Sequence, residues 1–279
     1  MTERLLATRK RVESLDQLET MVVAIRGISA SRAQQARAML DGVNAFAAVI
    51  GNAIGQALAL TDDALAAAAS RRRDSALVLF CAEQGFAGAF SERMIESLAR
   101  PFDEDVFLIG SRGLALAREQ GVRIVWHSPM VPHAQLVSEL AIRIAEAIYG
   151  WVADKADPHL DVAVPVWSPG SGLLPARSTL LPFDFRRFAP VRSNISPLTT
   201  LPTGSLLGRL AEEYIFAELC EAGLIAFTSE NEARVASMLA AKTNLERMSN
   251  GLRLLGHRLR QEEITAEVIE LASGAKFRT

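Results

Sequence analysis

The sequence predicts an α/β protein with a long antiparallel coiled coil of the N- and C-terminal helices plus a central α/β, Rossmann-like domain. All 11 prolines among the 279 residues fall between Pro101 and Pro202, and proline breaks helices because it removes a backbone donor. The two proline-free ends carry apolar residues at helical spacing, whereas strand-like and helix-like segments alternate between them. We therefore predict an N-terminal shaft helix and linker (1–73), a central domain (74–190), a linker (191–204) and a C-terminal shaft helix (205–279).

The N-terminal helix is predicted over residues 1–58, with Thr2 as a possible cap. Its apolar residues recur at steps of three and four: Leu5, Val12, Leu15, Leu18, Met21, Val22, Ile25 and Ile28, continuing through Ala33, Ala36, Met39, Leu40 and Val43. Residues 64–69 favour a second helical piece. The run 71–73 is three arginines, which we interpret as a solvated linker rather than a binding site.

The central segment alternates between strand and helix patterns. Strands are predicted at 75–82, 105–110, 122–127, 160–167 and 178–185, and helices at 91–100, 111–120 and 135–152. Ser91 is a candidate N-cap, Gly121 closes the second helix, and Pro165 favours an edge strand or a bulge. This alternation is typical of a mainly parallel sheet.

The C-terminal helix carries a heptad seam over more than three heptads. The seam is predicted at Met238, Ala241, Leu245, Met248, Leu252, Leu255 and Leu259. Continuing the register gives Glu262 as its one polar interruption. A helix of about 70 residues is about 105 Å long, whereas a domain of about 115 residues is only about 30 Å across. Because the domain is too small to cover the helices, we expect them to pair with each other.

Composition and charge exclude several classes of protein. With 49% hydrophobic and 22% charged residues, the chain is not disordered by composition. The net charge of −2 gives no basic bias for nucleic acid. Apolar runs such as 76–82 are shorter than a bilayer span, no secretory signal is visible, and Cys81 and Cys220 are interpreted as buried thiols. These features predict a soluble, cytoplasmic protein.

A search for catalytic chemistry finds little. Phosphate-loop and dinucleotide fingerprints are missing, and no cofactor or metal site is predicted. Gly85 and Gly88 form a G-x-x-G turn after the first strand, and close strand-to-helix packing is favoured there over ligand binding. His127 and His133 lack a neighbouring Cys or acid, and the carboxylate pairs at 62–63 and 262–263 do not face each other on a helix. The absence of a catalytic set favours a protein that acts by shape and contact.

Motifs in several segments resemble one family. Residues 24–36 are similar to an AM-x-M-V-A-A-S-K-x-x-x-A run, 83–90 to a D-R-G-L-C-G-G/A-F turn, and 229–238 to S-E-x-x-A-R-M-x-x-M. Residues 260–275 are similar to R-Q-x-x-I-T-x-E-L-x-E-I-V-S-G-A, the most specific of the four. These motifs, in this order, resemble the gamma subunits of F-type ATP synthases. Gln84 and Ala87 depart from the usual turn, and Asp16, Leu18 and Glu19 from the usual N-terminus, which indicates a divergent branch, an alternative or sodium-linked enzyme.

The resemblance implies a non-catalytic rotor shaft. In the family the paired helices enter a ring of alpha and beta subunits, and the central domain forms a foot against epsilon and the membrane-embedded c ring. Membrane contact then comes only through partner subunits, on the cytoplasmic face of the membrane. Arg260, Gln261 and Arg32 match or lie near family positions that touch the alpha/beta ring, although solvated helix residues would give the same pattern. ATP chemistry would stay on the beta subunits.

Two other functions remain open from the sequence. One is a nucleotide- or small-molecule-binding α/β enzyme with coiled-coil dimerisation arms, which would hold its ligand at the turn between Gly85 and Gly88. The other is a coiled-coil scaffold without an enzyme partner. The missing phosphate fingerprint and the C-terminal motif favour the rotor shaft over both.

Overall fold

A computed structural model describes residues 3–60, 74–98, 103–168, 170, 172–191 and 197–275, with side chains to residue 269. The helices are α1 (Glu3–Leu58), α2 (Phe90–Glu96), α3 (Ser111–Glu119), α4 (Val137–Val152) and α5 (Thr203–Ala275); the strands are β1 (Asp74–Phe80), β2 (Asp105–Ile109), β3 (Ile124–Ser128), β4 (Pro158–Ser168) and β5 (Gly172–Leu181). The predicted cap at Thr2, the carboxylates at 62–63, the helical piece at 64–69, the arginines at 71–73 and most of the first half of the 191–204 linker lie outside the described residues.

The chain divides into two compact units. The first combines Met1–Ser29 with Val235–Thr279, and the second is Ala30–Arg234. The division falls within α1 and α5, not at the predicted boundaries 73 and 205. It does so because the central domain packs against parts of both helices: Ala36 of α1 and Ile215, Leu219 and Phe227 of α5 join its core.

The central sheet of the second unit has the order β3-β2-β1-β4-β5. The first four strands are parallel and β5 is antiparallel at one edge, so the prediction of a mainly parallel α/β domain is confirmed. Side chains alternate between the faces as a pleated strand requires. Ala76, Val78 and Phe80 of β1 enter the core under α4 and α5, whereas Leu77 and Leu79 enter the core under α2 and α3.

Three local predictions in the central segment need correction. Ser91 does not cap a helix, because α2 begins at Phe90 and the buried Ser91 hydroxyl accepts a hydrogen bond from the Ala82 amide at 3.1 Å. The fifth strand lies at Gly172–Leu181, earlier than predicted. Pro165 lies in an internal strand, beyond Ala163, the last β4 residue paired with β1; it faces Pro175 of β5. Two prolines can face each other there because a non-hydrogen-bonded pair needs no amide donor.

The first unit contains an antiparallel pair of helical segments. Thr8 lies opposite Gly256, Asp16 bonds to Ser249 and Arg253, and Glu19 pairs with Lys242. The α5 partner number falls as the α1 number rises, so the two segments run in opposite directions. The predicted antiparallel pairing of the terminal helices is confirmed in this unit.

The seam of this pair differs in register from the prediction. Met238 is buried, and Ala241, Leu245, Leu252 and Leu259 are half-buried as expected. Met248 and Leu255 are 57% and 45% exposed, and the adjacent small residues Ser249 and Gly256 occupy the seam instead. Small side chains let the two helix backbones approach each other. Ser249 and Gly256 therefore occupy the seam, and the larger residues Met248 and Leu255, each one position earlier in the chain, lie outside it.

The predicted apolar stripe of α1 also differs in part from the residues that are buried in the structure. Leu5 is buried and Val12, Leu15, Val22 and Ile25 are half-buried, as predicted. Leu18, Met21 and Ile28 are about half exposed or more, and the seam passes instead through Thr8, Glu19 and Ser29. The seam positions 5, 8, 12, 15, 19, 22, 25 and 29 are separated by steps of three or four residues.

One helix among the described residues, α1, is long and apolar enough to cross a membrane by length and composition alone. Its most apolar window of 18 residues has a mean hydropathy of 1.3 and is 11% buried. The sequence-based expectation that no segment is long enough to span a bilayer considered only uninterrupted apolar runs, and this finding qualifies it. Helices of soluble proteins pass the same test, and Arg37 of α1 pairs with Glu232 of α5.

Gly110, which follows β2, is required by its backbone conformation. Its φ is +103°, and an added Cβ would lie 2.2 Å from the carbonyl oxygen of Cys81. We expect Gly110→Ala to lower the free energy of unfolding by about 1–3 kcal/mol, because strain and backbone overlap add together. Urea unfolding followed by tryptophan fluorescence measures this. Gly121→Ala is the matched control: its φ is also positive but nothing lies within 4 Å of the added methyl, so equal losses would contradict the overlap.

Candidate functional site

The turn after β1 is held by charged residues from α5. The Glu230 carboxylate accepts hydrogen bonds from the amides of Glu83 and Gln84, both at 3.0 Å. Arg234 pairs with Glu230 and donates from Nε to the Gly85 carbonyl at 2.9 Å. Asn231 accepts a further bond from Arg234 at 3.1 Å. We call Glu230, Asn231 and Arg234 the clamp; each is at most 5% exposed.

A second carboxylate, Glu83, extends this network to the ends of the neighbouring strands. It accepts bonds from the Ser111 amide, the Ser111 hydroxyl and the Met130 amide, each at 2.9 Å. Ser111 opens α3, so the carboxylate satisfies one of the free amides at that helix N-terminus. Met130 follows β3, so Glu83 joins the carboxyl ends of three parallel strands.

The position of this network bears directly on ligand binding. Parallel α/β sheets bind phosphate groups at the carboxyl ends of their strands, on amides at helix N-termini. Here the amides of Glu83, Gln84, Ser111 and Met130 already donate to the chain's own carboxylates. The cavity that remains beside Arg32 and the clamp is about 10 Å³, no more than one water molecule needs. The crevice is therefore filled by protein.

The G-x-x-G turn contains two residues with positive φ, Phe86 and Gly88. Gly88 has φ +63°, and the Arg112 guanidinium lies 3.4 Å from the position of an added Cβ on Gly85. Phe86 between them also has positive φ (+65°) and is 66% exposed. The turn is thus a strained connection that the clamp holds, with the Phe86 side chain exposed to solvent, and Gly88 provides a positive φ that other residues rarely adopt.

The His, Cys, Asp and Glu residues of the described ranges form no cluster of metal-ligand type, since no group of three or more of them is arranged to hold a metal ion. His159 and Asp161 lie 3.3 Å apart in β4, and Asp161 also receives the Arg177 Nε at 2.6 Å. Arg177 belongs to the neighbouring strand β5, and both His159 and Asp161 lie in the amino-terminal half of β4.

Comparison with known proteins then decides the family. A family model described as ATP synthase matches residues 4–276, which includes both long helices and the sheet domain. The chain belongs to the ATP synthase gamma family. The gamma chain of Leifsonia xyli subsp. xyli is 26% identical over 99% of this chain and 98% of its own length. That of Solibacter usitatus is 25% identical over 97% and 98%.

Solved structures show the same fold. A chain of the Euglena gracilis mitochondrial ATP synthase rotor superposes with a TM-score of 0.63 at 14% identity, covering 93% of this chain and 98% of that one. A chain from the central stalk and c ring of the Tetrahymena thermophila mitochondrial enzyme gives 0.57 at 13% identity, covering 79% and 99%. Membership of the gamma family supports the central-stalk role and does not favour an α/β enzyme with dimerisation arms.

The three predicted ring-contact residues of this family member lie in different surroundings. Arg32 belongs to the second unit, is half-buried, and its Nη1 lies 3.5 Å from the Gln84 side-chain oxygen. Arg260 and Gln261 belong to the first unit and are exposed. Arg260 lines a groove of about 310 Å³ together with Leu5 and Thr8. Arg32 thus contacts the turn after β1 through Gln84.

The sequence does not single out the clamp as a site. Glu230 and Arg234 stand in it only as part of the S-E-x-x-A-R resemblance. A physical signal was available, since these charges at i and i+4 interrupt an otherwise apolar helix face and so require a buried partner. Their partners lie 146–149 residues away, which no local pattern specifies.

Both cysteines are free and buried, as predicted. Burial raises the pKa of the Cys81 thiol to about 12 and that of Cys220 to about 11. We expect neither to react with iodoacetamide at pH 8 in the native chain and both to react in urea. Because unfolded thiols ionise near pH 8.5, stability is retained below that pH and lost as pH rises toward 12. Mass spectrometry after labelling checks this; equal native and unfolded labelling rates would contradict it.

Proposed function

We propose that this gamma-family chain is the non-catalytic central rotor shaft of an F-type ATP synthase. It couples ion-driven rotation of a membrane c ring to ATP synthesis and hydrolysis at beta subunits. The observation that carries the proposal is the family match over 4–276, which runs through both long helices and the sheet domain without interruption. The filled crevice supports the absence of catalysis, because its amides are already bonded to Glu83 and Glu230.

The proposed partners follow from the two kinds of surface. The first unit exposes apolar side chains along paired helices, including Leu18, Met21 and Ile28, and we assign this surface to the ring of alpha and beta subunits. Arg260 and Gln261 are exposed in the same unit and contact that ring. The segment 74–190 forms the foot against epsilon and the c ring.

The mechanism requires an asymmetric shaft rather than a catalytic group. In the first unit, Met21 and Leu254 are exposed apolar side chains, whereas Arg253 and Asp16 form an ion pair, so the surface of the helical pair is not uniform. A rotating shaft therefore presents different surfaces to each beta subunit in turn. Differential contacts shift each nucleotide site between open and closed states. The c ring selects the coupling ion, proton or sodium.

The location follows from the partners. The chain is peripheral on the cytoplasmic face of the inner (plasma) membrane and reaches the membrane only through the subunits it binds. Its net charge of −2 provides no general attraction for nucleic acid or for anionic lipid. No cofactor is proposed.

Co-expression with the alpha and beta subunits of the same organism tests the proposal. The purified chain should hydrolyse no ATP, bind no nucleotide by calorimetry and stay monomeric in a mass measurement. With the alpha and beta subunits it should co-purify as one complex in which ATP hydrolysis drives rotation of the chain. Failure to join the complex would refute the proposal, and nucleotide binding by a concentration-dependent homodimer would favour the enzyme.

A further inference from the structure

Within the second unit, α5 is joined to the sheet domain by two kinds of contact. Apolar residues of α5 such as Leu219, Ala226 and Phe227 pack in the core below the sheet. Such contacts are non-directional, because burial depends on area and not on angle. They resist separation of the helix from the sheet more strongly than rotation of the helix about its own axis.

The clamp supplies the directional contacts. Glu230 and Arg234 are four residues apart and therefore share one face of α5. Glu230 accepts two amide hydrogens from the β1 turn, while Arg234 donates to a carbonyl of the same turn. Charge-assisted bonds are the strong class of hydrogen bond and weaken steeply when their angle changes. Rotating α5 by a few tens of degrees would break all of them together.

The turn that receives these bonds is itself anchored. Its Glu83 carboxylate holds the Ser111 amide at the start of α3 and the Met130 amide after β3. A force on α5 therefore passes through the clamp to the ends of β1, β2 and β3 instead of stopping at a flexible loop. The cavity beside the clamp is only about 10 Å³, so these residues pack closely against one another.

We propose that Glu230 is a torque-transmitting positioning residue: its clamp with Arg234 locks α5 in one rotational setting against the sheet domain. The inference rests on the proposed rotor function and deepens it. When the foot is turned by the c ring, the lock makes α5 turn by the same angle, and α5 continues without interruption from Arg234 to Ala275. When the lock slips, the alpha/beta ring continues to hydrolyse ATP, but fewer ions are moved by the c ring for each ATP hydrolysed.

Glu230→Gln tests the lock in the intact complex reconstituted into vesicles. Glutamine keeps the side-chain shape and one acceptor oxygen but removes the charge that strengthens the bonds. We expect ion uptake per ATP hydrolysed to fall by about threefold or more, while hydrolysis per assembled complex stays near wild type. A structural defect alone would reduce the number of complexes and leave this ratio unchanged.

Glu232→Gln is the matched control. Glu232 lies on the same helix and also forms an ion pair, but its partner Arg37 is on α1, not on the sheet domain. Its uptake-to-hydrolysis ratio should equal that of wild type. A wild-type ratio in the Glu230→Gln complex, or an equal loss in both variants, would overturn the lock.

Hydrogen exchange of the wild-type complex tests whether the clamp stays closed, and it can be measured even if the Glu230→Gln variant does not assemble. The amide hydrogens of Glu83 and Gln84 should exchange slowly both at rest and during ATP-driven pumping, because the clamp stays closed under load. Faster exchange during pumping would show that the clamp opens and would overturn the proposal. A wild-type chain that does not assemble at all refutes the rotor function, so the two failures are distinct.

Discussion

Replacing Arg234 with methionine is expected to lower the free energy of unfolding of the second unit by about 3–5 kcal/mol. The change removes the cation that faces Glu230, whose side chain is only 7% exposed, and leaves that charge buried with amide donors alone. It also leaves the Gly85 carbonyl without its Nε donor. Methionine fills a similar volume, so the loss reports the missing charge and hydrogen bonds rather than a cavity.

The measurement uses tryptophan fluorescence during urea unfolding. All three tryptophans, Trp126, Trp151 and Trp167, lie in the second unit, so their signal reports on the unit that contains the clamp. Arg37→Met is the control, because that side chain is 58% exposed and its pair with Glu232 should contribute less than about 1 kcal/mol. A loss at Arg234 no larger than the loss at Arg37 would mean that the clamp does not support this unit.

The sheet domain could be predicted closely because its signals are local. Strands such as β1 and β2 are short apolar runs between turn residues, and their alternation with helices specifies a parallel sheet before any contact is known. Boundaries were accurate within a few residues where glycine ends an element, as Gly121 does after α3. The error at β5 arose because its exposed polar positions, including Arg177, hide the strand pattern.

The site could not be predicted in the same way. Glu83 and Glu230 look like ordinary surface charges in the sequence, and only the fold brings the turn and α5 together. The contact of Arg32 with Gln84, 52 residues further along the chain, is likewise not visible in the sequence, and its predicted contact with the alpha/beta ring stays a prediction. The sequence favours packing over phosphate binding at Gly85 and Gly88, but it does not show that the nearby amides donate to the carboxylates of Glu83 and Glu230, because those contacts form only in the folded chain.

The coiled-coil register shows why periodicity alone was insufficient. Steps of three and four starting from Met238 can be taken in either order, and the more apolar choice selected Met248 and Leu255. The structure takes the other order and places Ser249 and Gly256 in the seam, where Ser249 bonds to Asp16 at 3.3 Å. Close approach of the helices thus outweighs the burial of two larger side chains at these layers.

Leu252→Asp and Leu255→Asp together test this register. Leu252 is half-buried in the seam under either order of steps, so a carboxylate there should lower the free energy of unfolding of the first unit by about 2–4 kcal/mol. Leu255 is 45% exposed and belongs to the seam only in the sequence-predicted register. The same substitution there should cost no more than about 0.5 kcal/mol.

Thermal unfolding followed by circular dichroism at 222 nm measures both variants, because the first unit is helical throughout its described residues. Equal losses would restore the predicted register, since Leu255 would then be as buried as Leu252.

The same two variants also separate the stability of the free chain from its binding to the alpha/beta ring. If the exposed apolar surface binds the alpha/beta ring, Leu255→Asp should weaken ring binding while leaving the melting temperature of the free chain unchanged. Leu252→Asp would lower both, because the ring can bind only a helical pair that has formed.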